Sequence, residues 1–351
     1  MAETARRAFV AAIVVGGVVL LAVALWKVRL LVALLFLSFI VAAAMRPGIE
    51  RLKGWRVPRG VGLAVHYLAL LGVVAALVAT AVPVAVTQVT EAVPEQRTEL
   101  RQRAQEETGF KHDALLAVRD ALEGLPRGRD LVDPQLGLLG VEVAVGILFV
   151  LAAAAYWIFE RDRALDLVAS VVPRRNRRVV RATWDLIDLK LGAYVRGQIL
   201  LIAFVALVLS AVFWLIGLPY WLLVGTFAGV VEIVPVIGPL AAGALAVGVG
   251  LTVSVEVAFA AGAAVLVVRL LEDYVVIPRV LGEAVGLSPL LVLVSVSATA
   301  LLFGEFAVLL AIPLAAVLAT LVDVAVLNKD PEQEEVPTVL FAAKEAETSS
   351  N

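Results

Sequence analysis

The chain has 351 residues, 62% of them hydrophobic and 17% charged, where an ordinary soluble domain is about half apolar and about a quarter charged. A net charge of −2 leaves no electrostatic footprint for nucleic acid. The absence of cysteine excludes a disulfide framework, a thiol nucleophile and a cysteine metal site.

The charges lie between long apolar runs, the pattern of a polytopic helical membrane protein. A span needs about 20 apolar residues to cross roughly 30 Å of hydrocarbon. Residues 8–25 and 30–45 supply the first two, joined by the short turn "WKVR". Arg6 and Arg7 ahead of the first run resemble the start of a signal peptide. No small-residue cleavage site follows, so this run reads as a retained span. Residues 46–60, "RPGIERLKGWRVPRG", hold five Lys/Arg and one Glu. A third span at 61–82 completes an N-terminal unit, 1–83.

Residues 84–138 leave the membrane, with ten acids and seven bases. Leu115, Leu116, Val118, Leu122 and Leu125 recur near helical spacing there, which predicts an external amphipathic helical segment. A fourth span at 139–159 precedes nine Lys/Arg in 161–197, including "PRRNRR". Within that stretch Trp184, Ile187, Leu191 and Tyr194 or Val195 form one apolar stripe, with Asp185, Asp188 and Lys190 off it. This is the pattern of a helix lying along the membrane surface. The two basic stretches fall on one side of the membrane. The positive-inside rule makes that side cytoplasmic, together with the N-terminus, and places 84–138 outside. Lys27 and Arg29 are the exception, on the outer side.

The pattern changes over 198–327. After a fifth span at 199–216, the apolar run 221–234 has only 14 residues, about 21 Å of helix. It ends at "PVIGP", and a second short run, 240–255, follows. Two short segments joined by Pro-Gly chemistry predict a re-entrant hairpin or two thin spans, and both leave the chain on the same side. A span at 257–277 comes next. The run 290–322 is too long for one span and is interrupted by "FGEF" at 303–306, which predicts a second hairpin. "GLPYWLLVG" at 217 and "GLSPLLVLV" at 286 open the two broken regions alike, a hint of an internal repeat. The tail, 328–351, is acidic, polar and expected to be disordered and cytoplasmic. The fold class is therefore all-α and membrane-integral, with about eight hydrophobic segments, two of them broken.

Breaking a helix in lipid leaves backbone groups that only protein or a water-filled cavity satisfies. Half-helix ends also carry partial charges able to meet an ion or polar solute. The first break carries Glu232, Pro235, Gly238 and Pro239. An ionised carboxylate at mid-depth is costly unless paired or hydrated, which makes Glu232 a site candidate. Arg269, Glu272 and Asp273 stand at i, i+3 and i+4 and share a helix face. They read either as an internally neutralised interfacial cluster or, with Glu232 nearby, as a cation or proton site. Gly225 and Gly229, in "GTFAG", have the spacing for close helix packing.

Four blocks, "KLGAYVRGQ", "GLPYWLLVGTFAGVVEIVPVIGP", "LEDYVVIPRVLG" and "GLSPLLVLVSVSATALLFGEFAVLLAIPLAAVL", resemble in sequence and order the autoinducer-2 exporter family of bacterial membrane proteins. The resemblance covers about residues 185–325 by motif and the first half by hydropathy. It implies an eight-segment transporter of the bacterial inner membrane, with members associated with export of autoinducer-2 and others with sodium or lithium/proton antiport. It also implies a homo-oligomer, a pentamer, and elevator-like movement. The motif positions carried over are Lys190, Tyr194, Gly197, Gln198, Pro219, Tyr220, Pro235, Gly238, Pro239, Glu272, Pro278, Gly282, Pro289, Gly304 and Pro313. The chain departs from the family where Val236 replaces a common aromatic residue and Arg269 a common Gln.

Three classes of function follow. A secondary transporter would move a small polar solute, Na⁺ or H⁺ through the broken segments, with a carboxylate as the coupling group and Gln198 among the site candidates. No Walker A motif is present to drive it with ATP, and no cofactor motif appears. An intramembrane enzyme would need a catalytic constellation. The sequence has no HExxH, and adjacent Glu272 and Asp273 point about 100° apart on a helix, so they do not share a proton. An oligomeric scaffold without transport is the third class. The lipid bilayer is the partner common to all three.

Overall fold

The structure is a computed structural model that describes residues 26–87, 134–234, 237–277, 288–334 and 336, with scattered positions between 6 and 24. The first expected span, most of the external segment, Pro235, Val236, Pro278, Gly282 and most of the acidic tail lie outside these residues. Among the described residues there are helices and turns and no strand. Four stretches are long and apolar enough to cross a membrane: Arg29–Gly54, Gly140–Ser170, Arg174–Leu215 and Phe306–Ala325. Many large apolar side chains face outward, among them Phe259 at 79% and Leu301 at 81% exposure. A soluble protein would not leave that surface bare, whereas a bilayer covers it.

Helix α1 (Arg29–Gly54) and α2 (Arg59–Thr87) form an antiparallel pair turned at 55–58. Next come α3 (Pro134–Ser170) and α4 (Arg177–Leu215), of 37 and 39 residues. At 1.5 Å per residue these run to about 55 Å and about 58 Å, well beyond the roughly 30 Å hydrocarbon core. The basic stretch 161–197 is thus mostly helix and turns at Pro173 and the 3₁₀ segment Arg174–Asn176. Its Arg, Ala and Leu residues are sound helix formers, and no helix breaker intervenes until Pro173.

The expected surface helix around Trp184 is therefore not a separate element. It is the first half of α4, continuous with the fifth span. Its stripe faces protein, for Ile187 and Leu191 pack with Ala33, Ile40 and Ala43 of α1. Trp184 stacks on Trp157 of α3 at 5.7 Å, and Phe39 of α1 meets Trp157 edge-on at 5.1 Å. Gly192 lets α4 lie against α1, since a Cβ there would stand 2.6 Å from the Ala43 carbonyl oxygen.

The far half of α4 carries a second core. It ends in a Schellman turn: Gly217 has φ +70°, the Gly217 N–H reaches the Trp214 carbonyl, and the Leu218 N–H reaches that of Phe213. The apolar contact that accompanies this motif is made by buried Phe213 and Leu218. Helix α5 (Trp221–Val231) then doubles back along α4 for 11 residues. Its Gly225 and Gly229 abut Ser210 and Ile202, where an added Cβ would come within 2.6 Å of the α4 backbone, so the GTFAG spacing does serve close packing. After the break that begins at Glu232, α6 (Ile237–Leu251) and α7 (Val255–Leu271) form an antiparallel pair. Ser254 caps α7 by accepting the Val257 N–H.

Helix α7 runs on through a π-helical turn, Glu272–Val276. Then α8 (Pro289–Phe303) stops at Gly304, φ +90°, and a 3₁₀ segment Glu305–Leu310 leads into α9 (Ala311–Ala325). Both predicted interruptions are therefore present as helix breaks. Helix α9 packs on the first half of α4.

Candidate functional site

Glu232 caps the C-terminal end of α5, and Arg269 lies in the last turn of α7. The packing of α5, α6 and α7 brings these ends together. Arg269 Nη1 donates to Glu232 Oε1 at 2.7 Å and to Glu272 Oε2 at 3.2 Å. Its Nη2 stands 2.9 Å from Asp273 Oδ1. One guanidinium thus holds three carboxylates, and Glu232 and Glu272 share a single nitrogen. Gln198, on α4, donates its Nε2–H to the Glu232 carbonyl oxygen at 3.2 Å. That bond satisfies a backbone acceptor freed by the break, as a helix end in lipid requires.

Glu232 and Glu272 are buried, at 7% and 2% exposure, while the Arg269 and Asp273 side chains are 29% and 40% exposed. The cluster therefore has a sealed side and an open side. One positive charge faces three carboxylates. The C-terminal end of α5 adds partial negative charge. The site places three carboxyl groups and one guanidinium beside a broken helix. The π-turn that starts at Glu272 is a feature often found at functional sites. Among the described residues no group of three acidic or imidazole side chains is placed to hold a metal ion. The carboxylates converge on the guanidinium instead.

Gly238 has a packing role at the break. Its N–H reaches the Val234 carbonyl oxygen at 2.8 Å, and a Cβ would run into the Val231 carbonyl. Only glycine lets the first turn of α6 lie so close to the last turn of α5. Pro239 follows in the first turn of α6, where its missing N–H has no helical partner to lose. Glu232 is level with Gln198, about 25 Å along α4 from its C-terminal end. The cluster therefore sits near the middle of α4, where its two halves meet.

A second ionic network was not foreseen. Asp188, 4% exposed, accepts from Arg161 Nε at 2.6 Å and from Arg46 Nη1 at 3.0 Å. Arg161 also reaches Asp185 at 2.5 Å. Lys190, likewise buried, stands 2.5 Å from Glu334 Oε1 and donates to Thr320 Oγ1 at 3.2 Å. Sequence reasoning set Asp188 and Lys190 off the apolar stripe. On a wheel centred at Trp184 they lie at about +40° and −120°, flanking the stripe rather than opposing it. Partners from α1, α3 and the tail draw them inside.

Long apolar helices with outward-facing apolar side chains, interrupted by two helix breaks, define a polytopic α-helical membrane protein. The sequence pattern described as "AI-2E family transporter" matches residues 16–327, and the chain belongs to that family. It is 23% identical over 302 residues to "Putative transport protein YrrI" of Bacillus subtilis, covering 81% of this chain and 83% of that one. It is 25% identical over 324 residues to "Putative transport protein MT0215" of Mycobacterium tuberculosis, covering 89% and 87%. "Putative permease PerM" of Escherichia coli matches at 27% identity over 194 residues, 53% of each chain.

Proposed function

We propose that this transporter is a secondary carrier in which the Arg269 cluster couples H⁺ or a monovalent cation to the movement of a small polar solute or a second cation. The observation that carries the reading is the single guanidinium shared by Glu232, Glu272 and Asp273. Arg269 acts as a resident counter-ion. An incoming Na⁺ or a proton on Glu232 or Glu272 replaces one of its contacts. That frees the arginine, and with it the hold between the end of α5 and the end of α7. Access then alternates as the broken segments move, entering and leaving as re-entrant hairpins from one side. Uncharged export of a small polar solute, autoinducer-2 being the model from the family resemblance, uses the same path without the cation.

The orientation in this proposal places the basic turns and the C-terminal tail in the cytoplasm of a bacterium, in its inner membrane. Support comes from the Arg-rich turns at 46–60 and 171–181 sharing one end of the molecule. A homo-oligomer, a pentamer by family resemblance, completes the reading.

The test uses purified protein in liposomes that hold a pH-sensitive dye. Na⁺ or Li⁺ gradients are imposed on wild type and Glu272→Gln. A cation-driven pH change in wild type, lost in the variant, supports coupling at this cluster. No response in wild type rejects cation/proton exchange and leaves uncoupled export of a polar solute. An equal response in both proteins removes Glu272 from the coupling role.

A further inference from the structure

Helix α9 ends at Ala325, and the chain then turns back over the first half of α4. Asn328 takes a left-handed conformation, φ +52°, to make the reversal. The Lys329 N–H reaches the Asp323 carbonyl at 3.0 Å and its Nζ the Asp323 carboxylate at 2.9 Å, which fixes the exit from α9. Asp330 orders the next turn by accepting from the Glu332 N–H at 3.0 Å and from Gln333 Nε2 at 3.1 Å.

The segment then lies in a groove on α4. Pro331 is buried there. Glu332 takes Arg178 in a two-pronged pair, Nε–Oε1 at 3.0 Å and Nη2–Oε2 at 2.6 Å. Glu334 takes Lys190 at 2.5 Å. These contacts join residues 154 and 144 positions apart. Lys190 is also bonded to Thr320 of α9, so it stands between α9 and the tail. Without Glu334 its buried ammonium would keep a hydroxyl as its partner from α9, a poor exchange for a carboxylate.

We take the half of α4 that carries the groove as the fixed side, because ion pairs anchor it. Arg46, Arg161 and Asp188 bind that half of α4 to α1 and α3. Helix α9 belongs to the second broken segment, which starts at α8 and bends at Gly304. The tail therefore ties a broken segment to the fixed half of α4.

We propose that residues 330–334 are an acidic strap that docks in a basic groove of α4, holds α9 against it, and so brakes the movement of the second broken segment. The strap is held mainly by ion pairs, since Pro331 is the one buried residue among these five. The Arg178–Glu332 pair is exposed, and such pairs are weak and screened by salt, while the part-buried Lys190–Glu334 pair is screened less. The strap is therefore releasable, which a purely apolar contact would not be.

The absence of cysteine makes the test direct. Spin labels are placed in the full-length chain at Arg175→Cys with Val336→Cys, and separately at Arg175→Cys with Leu318→Cys on α9. Distances are read by pulsed electron resonance in wild-type and Glu332→Gln/Glu334→Gln backgrounds. Salt is taken from about 0.01 M to about 1 M, which shortens the Debye length from roughly 30 Å to roughly 3 Å. The first pair is expected to give a narrow distribution at low salt that broadens at high salt and in the double variant. The second pair should broaden with it. A distribution already broad in wild type at low salt, or one unmoved by both salt and substitution, overturns the strap. Broadening of the first pair alone overturns the restraint on α9. In the liposome assay the double variant is expected to exchange several-fold faster, and a rate equal to or below an active wild type overturns the brake. The distance measurements need no coupled flux, so a failure of the coupling proposal and a failure of the strap are told apart.

Discussion

Arg269 is outnumbered, and that makes its removal informative. Taking away the guanidinium leaves Glu232 and Glu272 buried without their counter-charge. Breaking a fully buried pair costs roughly 3–5 kcal/mol, and because Arg269 is partly exposed we expect about 2 kcal/mol for Arg269→Ala, read as a lowered Tm in detergent. Adding Glu232→Gln should recover part of that loss, because one orphaned charge disappears. If the double variant is no more stable than Arg269→Ala, the two residues are not coupled through this contact. Arg269→Lys should also fall short of wild type, since a single ammonium cannot serve three carboxylates with the geometry of a fork. Three of the four charged residues of this cluster were legible in the sequence: Arg269, Glu272 and Asp273 announce a shared face by their spacing. That Glu232 reaches the same arginine was not, because 37 positions separate them and only the packing of α5 on α4 and of α7 on α6 closes the gap. The burial of Asp188 and Lys190, which do lie off the stripe, was hidden for the same reason. A helical wheel shows the edge of a stripe, but the partner that buries an edge residue comes from another helix.

Two kinds of break shape the elements, and glycine fixes both. The α4–α5 contact relies on Gly225 and Gly229, where a methyl group would meet the Ser210 amide or the Ile202 carbonyl. Gly225→Ala should cost about 1–3 kcal/mol by overpacking a contact that cannot yield without moving α5. The Tm in detergent checks it, and Gly217, whose Cβ position is open, gives a contrast at which backbone strain acts without a clash. If Gly225→Ala melts like wild type, α5 does not lie this close. Gly238→Ala should act differently: the clash with the Val231 carbonyl pushes α6 off α5 at the break itself, so transport should fall further than stability. The breaks were readable from Pro and Gly placement and from run lengths that no span fits. The length of α3 and α4 was harder to read. Their basic ends look like loop by charge, yet Arg, Ala and Leu propagate a helix well, and a rule that assigns charge to a side of the membrane says nothing about its secondary structure.

On the scale of the whole molecule, α4 is shared by two apolar cores. Its first half packs with α1 and the 3₁₀ segment before α9, and its second half with α5, α6 and α7. The Arg269 cluster and Gln198 lie where the halves meet. That plan places the 55–58 and 171–176 turns at one end and the α4–α5 and α6–α7 turns at the other. The basic residues at the first end predict that it faces the cytoplasm. A chain without cysteine lets single introduced thiols test this: Trp55→Cys and Arg175→Cys at one end, Pro219→Cys and Val255→Cys at the other. A membrane-impermeant maleimide should label the first two in inside-out vesicles and the second two in spheroplasts. The reverse pattern would invert the molecule and move the acidic strap outside. Labelling of Pro219→Cys and Arg175→Cys from the same side would be worse for the argument, because α4 would then not cross the membrane, and the Arg269 cluster would no longer lie between two aqueous phases where it could couple anything.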